Sequence, residues 1–229
     1  MTDAPFRPFE THLDESAALA TLRAATEGAD DGELFLERRR AENNVLDDGR
    51  IRQATYDASQ GFGLRAVRGE VAGYAHSTEI TETALRRAAQ TARLAVGAGG
   101  GTLAPAPRGT NTRLYRPDDP MADAAFPVKI DLLREIDAYA RALDPRVVQV
   151  SATLGASLQE VEILRPDGQR LADVRPMARI NISVIIEEGG RREQGGTGGG
   201  GRFGLARLMA RSHWQPMVAE ALRIALVNL

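Results

Sequence analysis

Three histidines, His12, His76 and His213, are the only imidazoles in this 229-residue chain, and it has no cysteine. A hydrolytic zinc site is most simply built from H-E-x-x-H, two histidines on one helix face with the glutamate beside them as base. None of the three histidines opens such a motif. The lack of cysteine excludes thiolate zinc sites, cysteine nucleophiles and disulfides. His76, at a strand end, reads as a surface or capping residue. His213, beside Trp214, reads as a residue at a helix start. G-x-S-x-G is absent, and with it the strained elbow of a serine hydrolase. The acidic pairs Asp47-Asp48 and Asp118-Asp119 fall in turns, without the held geometry that a carboxylate dyad needs. These residues alone identify no reaction.

Binding is the remaining possibility. Gly61, Phe62, Gly63 and Arg65 form one candidate peptide or partner contact, because glycines inside a strand weaken it unless a bulge or a close backbone approach requires them. The competing explanation is a bulge packed on a neighbouring helix. Arg191 and Arg192 form a second candidate contact, at the head of a glycine-rich run from Gly189 to Gly201. Gly196, Gly198 and Gly201 fit G-x-G-x-x-G, but a glycine run satisfies any glycine pattern, and no Gly-Lys-Ser/Thr follows. The run is expected to be a flexible connector, with a mobile contact loop as the alternative. Arg38, Arg39 and Arg40 are expected on a solvated strand edge.

The elements that would position these residues follow from periodicity and turn chemistry. A helix is expected over 13–27, with Leu13, Ala17, Ala20 and Ala24 on its buried face. A strand over 33–45 alternates leucine with charge. Asp47-Asp48-Gly49 then turns the chain, since a tight hairpin needs positive φ and Asp-Gly provides it. Short strands are expected over 50–57, 61–67 and 71–76. A helix capped by Thr78 follows, buried through Ala84, Leu85, Ala88, Ala92 and Ala95. Residues 99–127 break the pattern with Gly, Pro, Asp and Arg. A helix over 128–143 comes next, then strands over 147–163 and 169–188 joined at Arg165-Pro166-Asp167-Gly168, then a helix over 203–229. The order is helix, strands, helix, twice. It predicts an α+β fold of antiparallel sheets with packed helices in two similarly ordered halves, rather than a doubly wound sheet. The expected division is a lobe over 1–98, a connection over 99–127 and a second lobe over 128–229.

A net charge of −2 offers no basic face for nucleic acid and no polybasic segment for an anionic membrane. The first ten residues carry no apolar core of a signal peptide, and no apolar run is long enough to span a bilayer. The expected compartment is the cytoplasm.

Several stretches, in order, resemble one family. Glu37-Arg-Arg-Arg40, Leu46-Asp-Asp-Gly-Arg50, Gln60-Gly-Phe-Gly-Leu-Arg-Ala66 and Gly73-Tyr-Ala-His-Ser77 are similar to the TldD/PmbA zinc metallopeptidases. Leu132 to Ala140, Asp144-Pro-Arg146, Val161 to Gly168, Asp173-Val-Arg-Pro176 and Glu188-Gly-Gly-Arg-Arg-Glu193 resemble the TldD branch. The resemblance runs the length of the chain. It implies a subunit that pairs with a TldE/PmbA-type partner and encloses a chamber where unfolded or extended peptides are cut. It also implies zinc in the full-length protein, on an H-E-x-x-x-H helix in the C-terminal half. No residue here matches that motif, so no catalytic or metal residue carries over, and this chain alone is expected to bind no cofactor and to be inactive. Its expected contribution is chamber wall and partner contacts, within a longer peptidase of which this is the N-terminal half. The uncapped apolar turn Ile224–Leu229 accords with further chain beyond it. The alternative is a complete, non-catalytic assembly or peptide-binding module.

Overall fold

The computed structural model describes residues 5–97 and 115–229. In chain order the elements are α1 (Pro8–Thr11), α2 (Glu15–Ala25), β1 (Asp31–Asp47), β2 (Arg50–Arg68), β3 (Val71–Ser77), α3 (Glu82–Val96), α4 (Phe126–Leu143), β4 (Val147–Leu164), β5 (Arg170–Glu188), β6 (Arg191–Gly201), α5 (Ala206–Met209) and α6 (Arg211–Asn228). The fold is α+β, and a long helix, three strands and a long helix occur twice. The six strands form one antiparallel sheet ordered β3-β2-β1-β4-β5-β6, so that each wing runs first, second, third strand outward from the β1–β4 pair. Of the composition break expected over 99–127, residues 99–114 lie outside the described residues, and α4 begins at Phe126.

The described residues divide into two compact units, drawn from alternating chain segments. The first comprises Met1–Arg39, Ala58–Arg113 and Gln159–Val174, the second Arg40–Asp57, Leu114–Leu158 and Arg175–Leu229.

In the first unit, α2 and α3 bury Leu22, Ala18, Leu85, Ala88 and Ala92 against Leu34 and Leu36 of β1, Phe62 and Leu64 of β2 and Leu164 of β4. The period-2 burial of β1 from Asp31 to Leu36 is that of a strand with one covered face. Asp14 caps α2 by accepting from the Ala17 N–H at 2.8 Å. The Arg68 guanidinium donates to the carbonyls of Gly28 and Val96 at 3.0 Å and of Gly97 at 2.7 Å, placing a cation just past the carbonyl ends of α2 and α3.

In the second unit, α4 and α6 lay Leu132, Leu133, Ile136, Trp214, Val218 and Ala225 on Val150, Ala152 and Leu154 of β4 and Ile180, Ile182 and Val184 of β5. Leu226 and Leu229 of the final turn pack partly buried against the same core, while Val227 is exposed. Trp214 meets Tyr139 edge to face, ring centroids 5.4 Å apart.

Several expectations need correction. The buried face of α2 is Ala18, Leu22 and Ala25 rather than Ala17, Ala20 and Ala24, because burying the bulky Leu22 removes far more apolar surface than burying an alanine does. The cap of α3 is Thr81, not Thr78: its hydroxyl accepts from Ala84 N at 3.2 Å, and Ile80 just before it is buried. The strands expected over 50–57 and 61–67 are one unbroken 19-residue strand. No bulge occurs where β2 meets β3; the register runs regularly from Phe62↔Ser77 to Arg68↔Val71.

The arginines at 38–40 do not sit at an edge. β1 is an inner strand, Arg38 pairs with Glu160 at 2.7 Å and Arg40 with Asp119 at 3.0 Å. The glycine-rich run is strand β6, antiparallel to β5 from Glu188↔Arg191 to Ala178↔Gly201. Its pairing uses the backbone, which glycine supplies as well as any residue. Gly189 and Gly190, at φ 59° and 81°, form the two-residue turn that starts it. Glycine is also required for the fit to α6: a Cβ on Gly195 would stand 1.9 Å from the Ala221 carbonyl and 2.6 Å from Ala225 N. The final helical segment is two helices, divided at Ala210.

Candidate contact surfaces and family membership

Gly61, Phe62, Gly63 and Arg65 lie on β2 in the first unit, but their side-chain positions divide between the two faces of the sheet. Phe62 is 4% exposed and belongs to the core with Leu64. Gly61, Gly63 and Arg65 alternate with it and share the opposite face with Tyr74 and His76 of β3, through the pairs Gly63↔His76 and Arg65↔Tyr74.

Both glycines have a steric reason. A Cβ on Gly61 would fall 2.5 Å from the Ser77 carbonyl, and one on Gly63 would fall 2.5 Å from the Tyr74 hydroxyl. The Tyr74 ring therefore occupies the space a side chain at 63 would need, and His76 stacks on it with centroids 5.7 Å apart. Arg65 donates to Asp31 at 3.0 Å and Glu33 at 3.2 Å, so its charge is balanced on its own face. What this arrangement offers is an exposed aromatic pair above a glycine floor. The sequence reading gives His76 only as a surface or capping residue and assigns Tyr74 no role. Their i, i+2 spacing on a strand beside a Gly-x-Gly strand is the signal that would have found them.

Arg191 and Arg192 stand together at the start of β6 in the second unit. Arg191 donates to Glu193 and to the Asn228 carbonyl, each at 3.2 Å, and Arg192 donates to Glu187 at 2.6 Å. Both are exposed.

The charged groups with the most structured surroundings lie elsewhere. In the first unit Glu160 and Glu162 are buried. Glu160 accepts from Phe6 N at 3.0 Å and Arg38 Nε at 2.8 Å, and Glu162 accepts a fork from Arg170 at 2.8 and 2.9 Å. Phe6 and Phe9 roof the two guanidinium groups, 5.6 and 5.0 Å from their centroids. The hydrogen bond to Glu162 is the main reason the Arg170 pKa is raised, against the opposing effect of burial. In the second unit Lys129, the chain's sole lysine, is 2% exposed and donates to Glu42 and to the Met121 carbonyl. Asp144 accepts from the side chain and backbone N–H of Arg146, and these bonds hold its carboxyl at a pKa of about 2.

Zinc does not fit the groups present. His12 Nδ1 sits 2.6 Å from the Thr11 hydroxyl, His76 is stacked on Tyr74, and the buried His213 Nε2 stands 3.8 Å from where a Cβ on Gly199 would lie. No three His, Cys, Asp or Glu side chains among the described residues converge on a point that could hold a metal ion. No described helix is long and apolar enough to cross a membrane.

The sheet order and the twice-repeated helix–strands–helix define the fold class. Its solved relatives include a putative modulator of DNA gyrase from Bacteroides thetaiotaomicron, with a TM-score of 0.72 over 94% of this chain and 50% of that one. TldE from Thermococcus kodakarensis aligns with a TM-score of 0.70 over 90% of this chain and 46% of that one. Both are 15% identical in sequence, and they establish the fold. Residues 32–96 match PmbA/TldA metallopeptidase domain 1, and residues 119–229 match the PmbA/TldA metallopeptidase central domain. The chain is 36% identical over 215 residues to the metalloprotease TldD homolog of Haemophilus influenzae, covering 87% of this chain and 43% of that protein. It is 32% identical over 226 residues to the TldD homolog of Buchnera aphidicola from Acyrthosiphon pisum, covering 94% and 46%. The chain belongs to the TldD/PmbA metallopeptidase family. It spans just under half the length of these curated relatives.

Proposed function

We propose that this chain is the N-terminal region of a TldD-type metallopeptidase subunit that takes part in the proteolysis of unfolded or extended peptides in the cytoplasm. Its own residues build wall and partner contacts, including a TldE/PmbA-type subunit as partner. The zinc and its ligands belong to the part of the full-length protein that these residues do not supply. No described residue of this chain would hold that ion, which in the full-length protein would supply Lewis-acid chemistry for peptide hydrolysis. The observation that carries the reading is the 36% identity to a TldD homolog over 87% of this chain, together with matches to domain 1 and the central domain in that order. The assigned contacts are the exposed Arg191 and Arg192, the half-buried Gly61 and Arg65, and Gly63, which is buried beneath Tyr74. Phe62 acts as the core residue that holds its strand in place.

The test is to purify the chain, measure its zinc content by atomic emission, and assay an internally quenched extended peptide with and without a TldE-type subunit. The expected result is neither stoichiometric zinc nor cleavage by the chain alone, and complex formation when the second subunit is added. Stoichiometric zinc accompanied by cleavage from this chain alone overturns the reading.

A further inference from the structure

Within the second unit, α6 lies along β6 with small residues at the contact. Gly195 sits under Ala221 and Ala225, and the Thr197 hydroxyl donates to the Met217 carbonyl at 3.0 Å. Gly199 comes next on the same face of the strand, since side-chain positions alternate. The point where a Cβ on Gly199 would stand is 3.8 Å from His213 Nε2, 3.8 Å from the Met217 sulfur and 3.6 Å from the Met217 methyl. An imidazole nitrogen and a thioether thus border one spot that the strand leaves without a side chain.

His213 and Met217 are four residues apart on α6, the spacing that sets two side chains beside each other on one helix face. His213 Nε2 is buried and has no hydrogen-bond partner among the described residues. Burying a polar nitrogen in this way is destabilising unless something satisfies it. The thioether is only a weak acceptor, and no hydrogen bond joins it to Nε2. A bridging water would need roughly 2–4 polar partners, and a sulfur is a poor one. An imidazole lone pair beside a thioether suits a soft metal ion instead. Zinc takes a tetrahedral set of harder donors, whereas thioether sulfur selects Cu(I).

We propose that His213 Nε2 and Met217 Sδ, above the open place at Gly199, form a binding site for one Cu(I) ion. The imidazole then carries its proton on Nδ1, which leaves the Nε2 lone pair for the metal. The proposal does not depend on the peptidase reading.

Ag(I) serves as the redox-inert probe. Trp214, the chain's sole tryptophan and the neighbour of His213 in sequence, serves as the local reporter. Gly199→Ala sets a methyl 3.6 Å or more from every neighbour, so it leaves the fold intact while taking up the space an ion needs. Met217→Leu keeps the side-chain volume and removes the sulfur. Met177→Leu removes an exposed thioether as the control. In the native chain Ag(I) should bind with unit stoichiometry and quench Trp214 emission. Gly199→Ala and Met217→Leu should each weaken binding on the order of tenfold or more, with thermal unfolding unchanged, and Met177→Leu should leave it as it was. Cu(I) delivered from a competing chelator should follow the same order of variants. Trp214 emission that ignores Ag(I) in the native chain overturns the proposal. So does binding that Met217→Leu leaves intact, binding lost in Met177→Leu, or a site that takes Ag(I) but not Cu(I).

Discussion

Lys129 reaches Glu42 from within the core of the second unit, with the ammonium almost wholly enclosed and the carboxylate nearly so. The Met121 carbonyl accepts a further bond from the same ammonium at 2.8 Å. Removing one member of such a pair strands the other charge, at a cost of about 3–5 kcal/mol, whereas replacing both with apolar or neutral groups is far milder. Lys129→Met should therefore lower stability by about 3 kcal/mol in chemical denaturation. Glu42→Gln combined with Lys129→Met should recover most of that loss. Since this sequence has no other lysine, side-chain amine acylation should spare the folded chain and label Lys129 only as the protein unfolds.

The fit of α6 on β6 gives a second, sharper expectation. Gly195→Ala places a methyl against helix backbone that has no side chain to move aside, and should cost about 2–4 kcal/mol. Gly196→Ala, one residue along and on the other face, would meet only the Ile182 carbonyl at 3.5 Å and should change stability by less than about 0.5 kcal/mol. Equal losses in thermal melts of the two variants would contradict the close packing.

Asp144 carries a pH dependence of definite sign. Its folded pKa of about 2 lies below the ordinary aspartate value of 3.8 because Arg146 donates to its carboxylate. Its contribution is thus fully present above pH 4 and is lost as pH falls from about 4 toward 2. A carboxyl chemical-shift titration should place its midpoint near 2. Asp144→Asn should cost about 1 kcal/mol at neutral pH and flatten the acid limb of the stability curve.

Glu160 ties the N-terminal segment down through the Phe6 N–H and orients Arg38 beneath the Phe6 ring. Glu160→Ala should speed amide exchange across residues 6–13 while leaving the exchange of β6 unchanged. Uniform acceleration in both regions would assign Glu160 to global stability instead.

The elements that were legible from the sequence had local signatures. The Asp48-Gly49 turn was readable because positive φ has a residue preference, and both residues adopt it, at 50° and 72°. The helix at α4 and the long β4–β5 hairpin were readable from period and turn chemistry. Features settled by partners distant in sequence were not readable. Nothing near Gly195 announces that Ala221 will sit above it, so β6 looked like slack chain. Nothing near Arg38 announces Glu160, so an inner strand looked like a wet edge. Among the candidate contacts, Gly61 meets the close backbone approach expected of a glycine inside a strand, whereas Gly63 lies under the Tyr74 side chain. The approaching groups, the Ser77 carbonyl and the Tyr74 ring, come from a strand whose register a single sequence does not disclose.

The alternation of the two units along the chain bears on how the protein is made. The first unit takes its last strand residues from Gln159–Val174, after the second has already drawn on Arg40–Asp57 and Leu114–Leu158. A polypeptide leaving the ribosome at about 5–20 residues per second therefore presents the other two segments of the first unit well before Leu164 arrives to complete its core. Until then Leu34, Leu36 and Leu64 can pack only on α2, α3 and Phe62, without Leu164. Nascent chains of this protein are the form that should most depend on a holding chaperone.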